Sequence, residues 1–380
     1  MVTILIILYF ISAITNSKNF VILSGVIMSL VFYPGTFVFV VILAFFVTQC
    51  KRFIQNKESI LALTFLIVIS FKNAFLPIDI RENILGISFV LFQVCYYLKE
   101  DMSMYAIVSR LSFFPQMYCG PVVKPSGFVR NKKMNIRSLA LYHVIFSVGI
   151  FYKTYITYIT HYVYSNDGSL LNSIYWWAYM YSDFLSWSLM GIGIAGLSGF
   201  KMPLSFKAPF FSKNISQFFR KWNITIYQWC MDFIKIRVYN KFWAYTNIGI
   251  ATASLALWHG LGINFILFGA FNFVYFFFQN KIKKHNNLLW SSQIFYYAFI
   301  GFLFNGFLPS DLIYTSSSWL YLILWVLSVL IMLLFDYKSF SLIRKKINRY
   351  PSTVILLCLV FVAFTLFFRK VDGQFYYAQF

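Results

Sequence analysis

The chain has 380 residues, 60% of them hydrophobic and 11% charged, a balance that leaves too little polar surface to cover a water-soluble domain of this size. A net charge of +21 would suggest nucleic acid in a soluble protein, but no RNA- or DNA-binding module is visible, and cations flanking apolar runs set membrane topology and meet anionic headgroups. Five cysteines, Cys50, Cys95, Cys119, Cys230 and Cys358, stand too far apart to indicate a disulfide framework, a zinc site or a redox pair.

Residues 2–15 open an apolar series without a charged n-region or a small-residue cleavage site, so they read as a retained span. Further apolar runs near 20–32, 36–50, 59–76 and 83–98 complete an N-terminal helical block, residues 1–100, with a turn at Tyr33, Pro34 and Gly35 dividing one long stretch. Residues 101–137 carry Pro115, Pro121 and Pro125 and then the cations Arg130, Lys132, Lys133 and Arg137, the pattern of a loop or half-inserted segment. Spans resume near 138–162 and 169–198. A second basic and aromatic interruption, 201–241, precedes spans near 248–258 and 262–280, closing a central block of 101–280. Residues 281–380 add runs near 291–309, 316–335 and 352–368. Since about 20 apolar residues cross the bilayer core, the chain is expected to be a single all-α integral membrane domain over 1–380, polytopic, with about ten or eleven spans.

Polar groups inside apolar helices are costly and point to function. The most informative is in Leu257-Trp258-His259-Gly260, where a histidine ends an apolar, small-residue run. Imidazole titrates near neutrality, so His259 can take the proton of a hydroxyl that attacks an acyl carbon; a helix-to-helix hydrogen bond is the plainer alternative. Thirty-six residues earlier, Arg220-Lys221-Trp222-Asn223 joins two cations to an aromatic ring and a side-chain amide. That separation leaves room for an amphipathic stretch and a span, so the amide of Asn223 can face the imidazole from another element, to orient it or to donate to a developing oxyanion. The other reading makes Asn223 a helix cap, with Arg220 and Lys221 on lipid phosphates. Phe113-Phe114-Pro115-Gln116 through Gly120-Pro121 breaks regular helix, which suits backbone lining a cavity. Asp183, followed by Gly191, Gly193, Gly196 and Gly199, reads as a buried partner for a cation or as an interfacial acid, and the glycines as sites of close helix packing. His143, His161 and His285 are assigned to structure or surface.

These motifs together resemble the membrane-bound O-acyltransferase family. Phe113-Phe114-Pro115-Gln116 with Gly120-Pro121-Val122 is similar to its "FFPQ…GP" signature. The stretch from Asp183 through Phe200-Lys201-Met202-Pro203, Ala208-Pro209-Phe210 and Arg220-Lys221-Trp222 is similar to its central block in the bacterial branch, and Trp258-His259-Gly260 falls on its "WHG" histidine. The resemblance covers residues 111–279. It implies a ring of transmembrane helices with half-inserted segments around a central tunnel, open to a thioester donor from the cytosol and to a hydroxyl acceptor from the opposite face. The pattern is nearest to the enzymes that acetylate alginate and other exported polysaccharides and to those that transfer D-alanine to teichoic acids. It implies catalysis by His259 and Asn223, with Trp222, Trp258, Arg220, Lys221, Gln116 and Asp183 as substrate-binding residues and no metal or bound cofactor. Acetyl-CoA or an acyl carrier protein would be the donor, a polysaccharide or glycolipid the acceptor, and an extracytoplasmic acyltransferase a further partner, in a bacterial plasma membrane. Two departures stand out: Trp222-Asn223 occupies the place where the polysaccharide enzymes have "WH", as in members that acylate lipids and proteins, and the interval to His259 is short. D-alanyl transfer, lipid or protein acylation, and a silent scaffold stay open as alternatives. A transporter is disfavoured by the lack of paired acids or inverted repeats.

Overall fold

The computed structural model describes residues 2–15, 22–27, 30, 34–54, 87–100, 102–117, 120–128, 134–163, 170–234, 240–282, 286–305 and 319–368. The expected span at 59–76, Cys119 and His285 lie outside them. No β-strand occurs among the described residues, as the long apolar runs without period-2 alternation require. The chain is an all-α integral membrane protein.

Helix α1, Val2–Thr15, is followed by α2, Pro34–Ile54, which Pro34 opens at a position where its missing N–H costs no helical hydrogen bond. Then come α3, Ile87–Tyr97, α4, Met104–Leu111, and the short α5, Phe114–Met117, inside the proline-broken segment. Helix α6, Ile136–Val163, is the one among the described residues whose length and composition alone suffice to cross a membrane. It is interrupted by a π turn at Tyr152–Ile156. Its partner α7, Leu170–Leu197, packs along it and also touches α1 and α5.

Contact between α6 and α7 is close because glycines remove the side chains that would separate the backbones. A Cβ on Gly193 would come within 2.7 Å of Phe146, one on Gly149 within 2.8 Å of Met190, and one on Gly196 within 2.0 Å of the Tyr142 ring. Between helices in lipid, where no hydrophobic effect drives association, this packing is the cohesive force.

The basic stretch after α7 is partly helical. It holds α8, Ile215–Lys221, and α9, Ile224–Phe233, each too short to span a bilayer. Next, α10, Lys241–His259, starts seven residues before the expected span at 248, because Asn240 caps it by accepting from the Trp243 N–H at 3.2 Å. It pairs with α11, Ile263–Ile282, and α11 with α12, Asn286–Asn305. The last two helices are α13, Trp319–Arg349, and α14, Pro351–Phe368. Helix α13 runs 14 residues past the expected end at 335, through Arg344, Lys345 and Lys346, since straight-chain cations are good helix formers once clear of the apolar core. Described residues from Leu5 to Val362 contribute to one large buried apolar cluster.

Candidate active site

Helix α10 presents one face to a cavity of about 440 Å³. Ala244, Ile248, Ala251, Leu255, Trp258 and His259 all line it, the three- and four-residue steps of a single helical stripe. Fifteen residues at 1.5 Å each make that stripe about 22 Å long. Opposite stand α7, through Trp176, Met180 and Phe184, and the α8–α9 pair; Phe268, Tyr296 and Phe304 of α11 and α12 complete the wall.

His259 is the last residue of α10, and Gly260 ends the helix with φ of 142°, a conformation that L side chains rarely adopt. The imidazole is held among rings: Phe265 stacks on it at 5.6 Å, while Phe304 at 5.1 Å and Phe268 at 5.4 Å meet it edge to face. A ring placed at the carbonyl end of a helix is well sited to carry positive charge, as a proton acceptor must.

Asn223 also lines the cavity and is 6% exposed. It stands at the N-cap position of α9, but its side chain makes no capping hydrogen bond and its backbone is left-handed, with φ of 44°. The amide therefore does not do the job that the capping alternative gave it, and no described residue takes it as a hydrogen-bond partner. Trp222 is wedged between rings, stacked on Phe218 at 5.3 Å and meeting Phe206 at 5.2 Å and Trp177 at 5.5 Å. It thus anchors the α8–α9 junction as well as lining the cavity. Trp258 packs against Phe92 at 5.8 Å and Phe89 at 6.5 Å, tying α10 to α3. Arg220 reaches the cavity from the end of α8.

Three expected substrate-binding residues are placed away from this wall. Lys221, beside Arg220, points the other way and donates from Nζ to the Phe211 carbonyl at 3.3 Å, because adjacent helical residues face different directions. Asp183 is 1% exposed and paired with Lys153, Nζ to Oδ1 at 2.5 Å, while Trp187 Nε1 donates to the same oxygen at 3.2 Å. Lys153 lies in the π turn of α6, so the acid has the cationic partner that one reading gave it. Gln116 is fully buried on α5, outside the cavity wall, and neither its Oε1 nor its Nε2 meets a partner among the described residues. Of the other histidines, His143 shares a 2.6 Å hydrogen bond with the Tyr9 hydroxyl and His161 rests on the Tyr179 ring at 4.8 Å.

Several wall residues went unmarked in the sequence, among them Trp176, Thr252, Tyr296 and Phe304. Only the polar ones left a signal: Tyr296 donates to Asn272 at 2.7 Å, two polar groups at facing points of successive spans. Cys230 lines the cavity from α9, but burial pushes its thiol up to about 12, so it remains protonated and is no nucleophile near neutrality. Among the described residues no group of His, Cys, Asp and Glu could hold a metal.

Residues 55–308 match the sequence model of the MBOAT, membrane-bound O-acyltransferase family. The chain is similar to the teichoic acid D-alanyltransferase of Bacillus subtilis, 27% identical over 264 residues, which are 61% of this chain and 62% of that one. It is similar to the peptidoglycan O-acetyltransferase of Helicobacter pylori, 29% identical over 179 residues, 42% of this chain and 34% of that one. A probable alginate O-acetylase AlgI of Pseudomonas putida is 24% identical over 212 residues, 50% of this chain and 44% of that one. The chain thus spans less than two thirds of the length of each of these relatives.

Proposed function

The chain belongs to the membrane-bound O-acyltransferase family, and from that premise we propose that it moves a short acyl group, acetyl, from a thioester donor to a hydroxyl of a cell-envelope or exported polysaccharide. The observation that carries this reading is that His259 and Asn223, 36 residues apart in the chain, line one largely apolar cavity. A largely apolar lining favours transfer to a sugar hydroxyl over hydrolysis of the thioester.

In the proposed reaction His259 takes the proton of the acceptor hydroxyl as its oxygen bonds to the thioester carbon. The carbonyl oxygen becomes an oxyanion, and the Asn223 amide orients the reactants or donates to that charge. Collapse breaks the C–S bond, the departing thiolate takes the proton from the imidazolium, and an ester, a free thiol and neutral His259 remain. Arg220, on the cavity wall, meets the anionic donor, acetyl-CoA or an acyl carrier protein, whose phosphates it attracts. An extracytoplasmic acyltransferase that carries the group on to the polymer is part of the same proposal.

D-alanyl transfer from a carrier protein to teichoic acid is the second reading, favoured by the longest of the reported matches. One assay decides between them. Purified protein is given labelled acetyl and D-alanyl thioesters with a polysaccharide or a teichoic acid acceptor, and transfer of acetyl is expected to dominate. His259→Ala is expected to lower transfer by at least about a thousandfold, the scale of losing a general base together with its positioning, in protein that is still folded. Undiminished turnover by that variant would remove the mechanism.

A further inference from the structure

The short helix that carries Arg220 into the cavity and leads to Asn223 is held at its start by two side chains from other helices. Gln279 of α11 is buried, and its Oε1 accepts from the Ile215 N–H at 2.8 Å while its Nε2 donates to the Ser216 hydroxyl at 2.9 Å. Gln293 of α12, also buried, donates from Nε2 to the Lys213 carbonyl at 2.7 Å. Local residues add to this: Asn214 accepts from the Gln217 N–H at 2.8 Å, and Gln217 Oε1 from the Lys213 N–H at 2.7 Å. The other end of α8 is bound as well, by Lys207 N–H to Lys221 carbonyl at 3.0 Å and Ile224 N–H to Ser205 carbonyl at 2.8 Å.

The two ends are held differently. At the C-terminal end, apart from the exposed Lys221 Nζ contact with the Phe211 carbonyl, the bonds join backbone to backbone and are indifferent to sequence. At the N-terminal end they come from side-chain amides 64 and 80 residues distant, which makes the placement of α8 depend on two particular residues of spans α11 and α12. Both amides lie where chain-local caps would have sufficed to satisfy a helix terminus. What the remote ones add is a fixed distance between α8 and the helices that supply Phe268, Phe276, Tyr296 and Phe304 to the cavity wall.

We infer that Gln279 and Gln293 are positioning residues for acyl transfer: they set α8, and through it Arg220 and the left-handed turn at Asn223, against the wall that holds His259. The inference rests on the acyl-transfer reading above, and it assigns opposite chemical roles to two like residues. Gln279 works chiefly as an acceptor, toward the Ile215 N–H, whereas Gln293 works as a donor, toward a carbonyl.

The test compares Gln279→Leu, Gln279→Glu, Gln293→Met and Gln293→Glu in full-length purified protein. Displacement of a reacting group by about 1 Å costs about a hundredfold, so Gln279→Leu and Gln293→Met are expected to lower kcat by about that factor and, because α8 also carries Arg220, to raise the donor KM. A carboxylate keeps the acceptor and removes the amide donor; Gln279→Glu is therefore expected to restore most of the turnover and Gln293→Glu to restore none. A parallel series carries Arg220→Cys, with the native cysteines replaced, and follows its labelling rate by a thiosulfonate reagent. Gln279→Leu and Gln293→Met are expected to change that rate at least about threefold, an effect of hydrogen-bond size. Wild-type kcat or an unchanged labelling rate in the folded Leu and Met variants would overturn the inference, as would equal behaviour of the two Glu variants. If wild-type protein transfers no acyl group, the acyl-transfer reading fails, while the labelling series still decides whether these amides place α8.

Discussion

Lys153 with Asp183, and His259 with Asn223, are both polar pairs set inside a bundle of apolar helices, and they are finished in opposite ways. Asp183 and Lys153 are 1% and 6% exposed, 2.5 Å apart, with the Trp187 indole closing over them. Every strong interaction there is made within the chain. At the cavity, by contrast, the imidazole is surrounded by rings, and the Asn223 amide makes no capping hydrogen bond and lines the cavity. The difference separates two uses of buried polarity. A pair satisfied by the protein specifies how helices dock, whereas a group left uncommitted has its interactions reserved for something that arrives.

Breaking the closed pair should damage the fold more than anything else in this comparison. Lys153→Met leaves a buried carboxylate without its counter-charge, and a loss of about 3–5 kcal/mol of stability is expected, read as a fall in the denaturation midpoint in detergent. Joining it to Asp183→Leu should recover most of that loss, since an apolar pair replaces an ion pair at little net cost. A double variant no more stable than the single would show that Asp183 is needed for more than charge balance. At the open site the signs reverse. Asn223→Ala should leave the midpoint within about 1 kcal/mol, a surface-like effect for an amide with no partner to lose, yet lower kcat by about a hundredfold, the size of one lost oxyanion donor. An equal loss of donor binding would recast Asn223 as structural. The smallest effect is expected at Lys221, whose contact is one exposed hydrogen bond to a backbone carbonyl. Lys221→Met should change turnover by less than about threefold, in line with a partner worth at most about 0.5 kcal/mol, whereas its neighbour Arg220, on the cavity wall, should raise the donor KM when made Met.

The sequence made most of this framework legible, because an apolar run has little choice but to become helix where water is absent. Helix ends were less so: α10 begins within a basic stretch and α13 continues through one, and in both cases a local cap or straight-chain cations override the loss of hydropathy. Convergence of His259 and Asn223 could be expected from their spacing and from family resemblance, but the uncommitted state of the amide could not, since a residue at an N-cap position ordinarily caps. Lys153 was overlooked although it stood in plain view, a lysine in the middle of a 28-residue apolar helix; that is the strongest single sign of a buried acid elsewhere. Gln279 and Gln293 left the same kind of trace, as amides inside otherwise apolar spans, and their partners become apparent only when distant helices are brought together.

The left-handed backbone at position 223 bears on how such a chain could change its chemistry over time. That conformation excludes branched and most bulky side chains and admits Asn, Asp and His far more readily than others. A swap between an imidazole and a carboxamide at this turn therefore demands no rebuilding of the main chain around it. Descent could exchange a proton-transferring group for a neutral hydrogen-bonding one there in one step, leaving the neighbouring helices where they were.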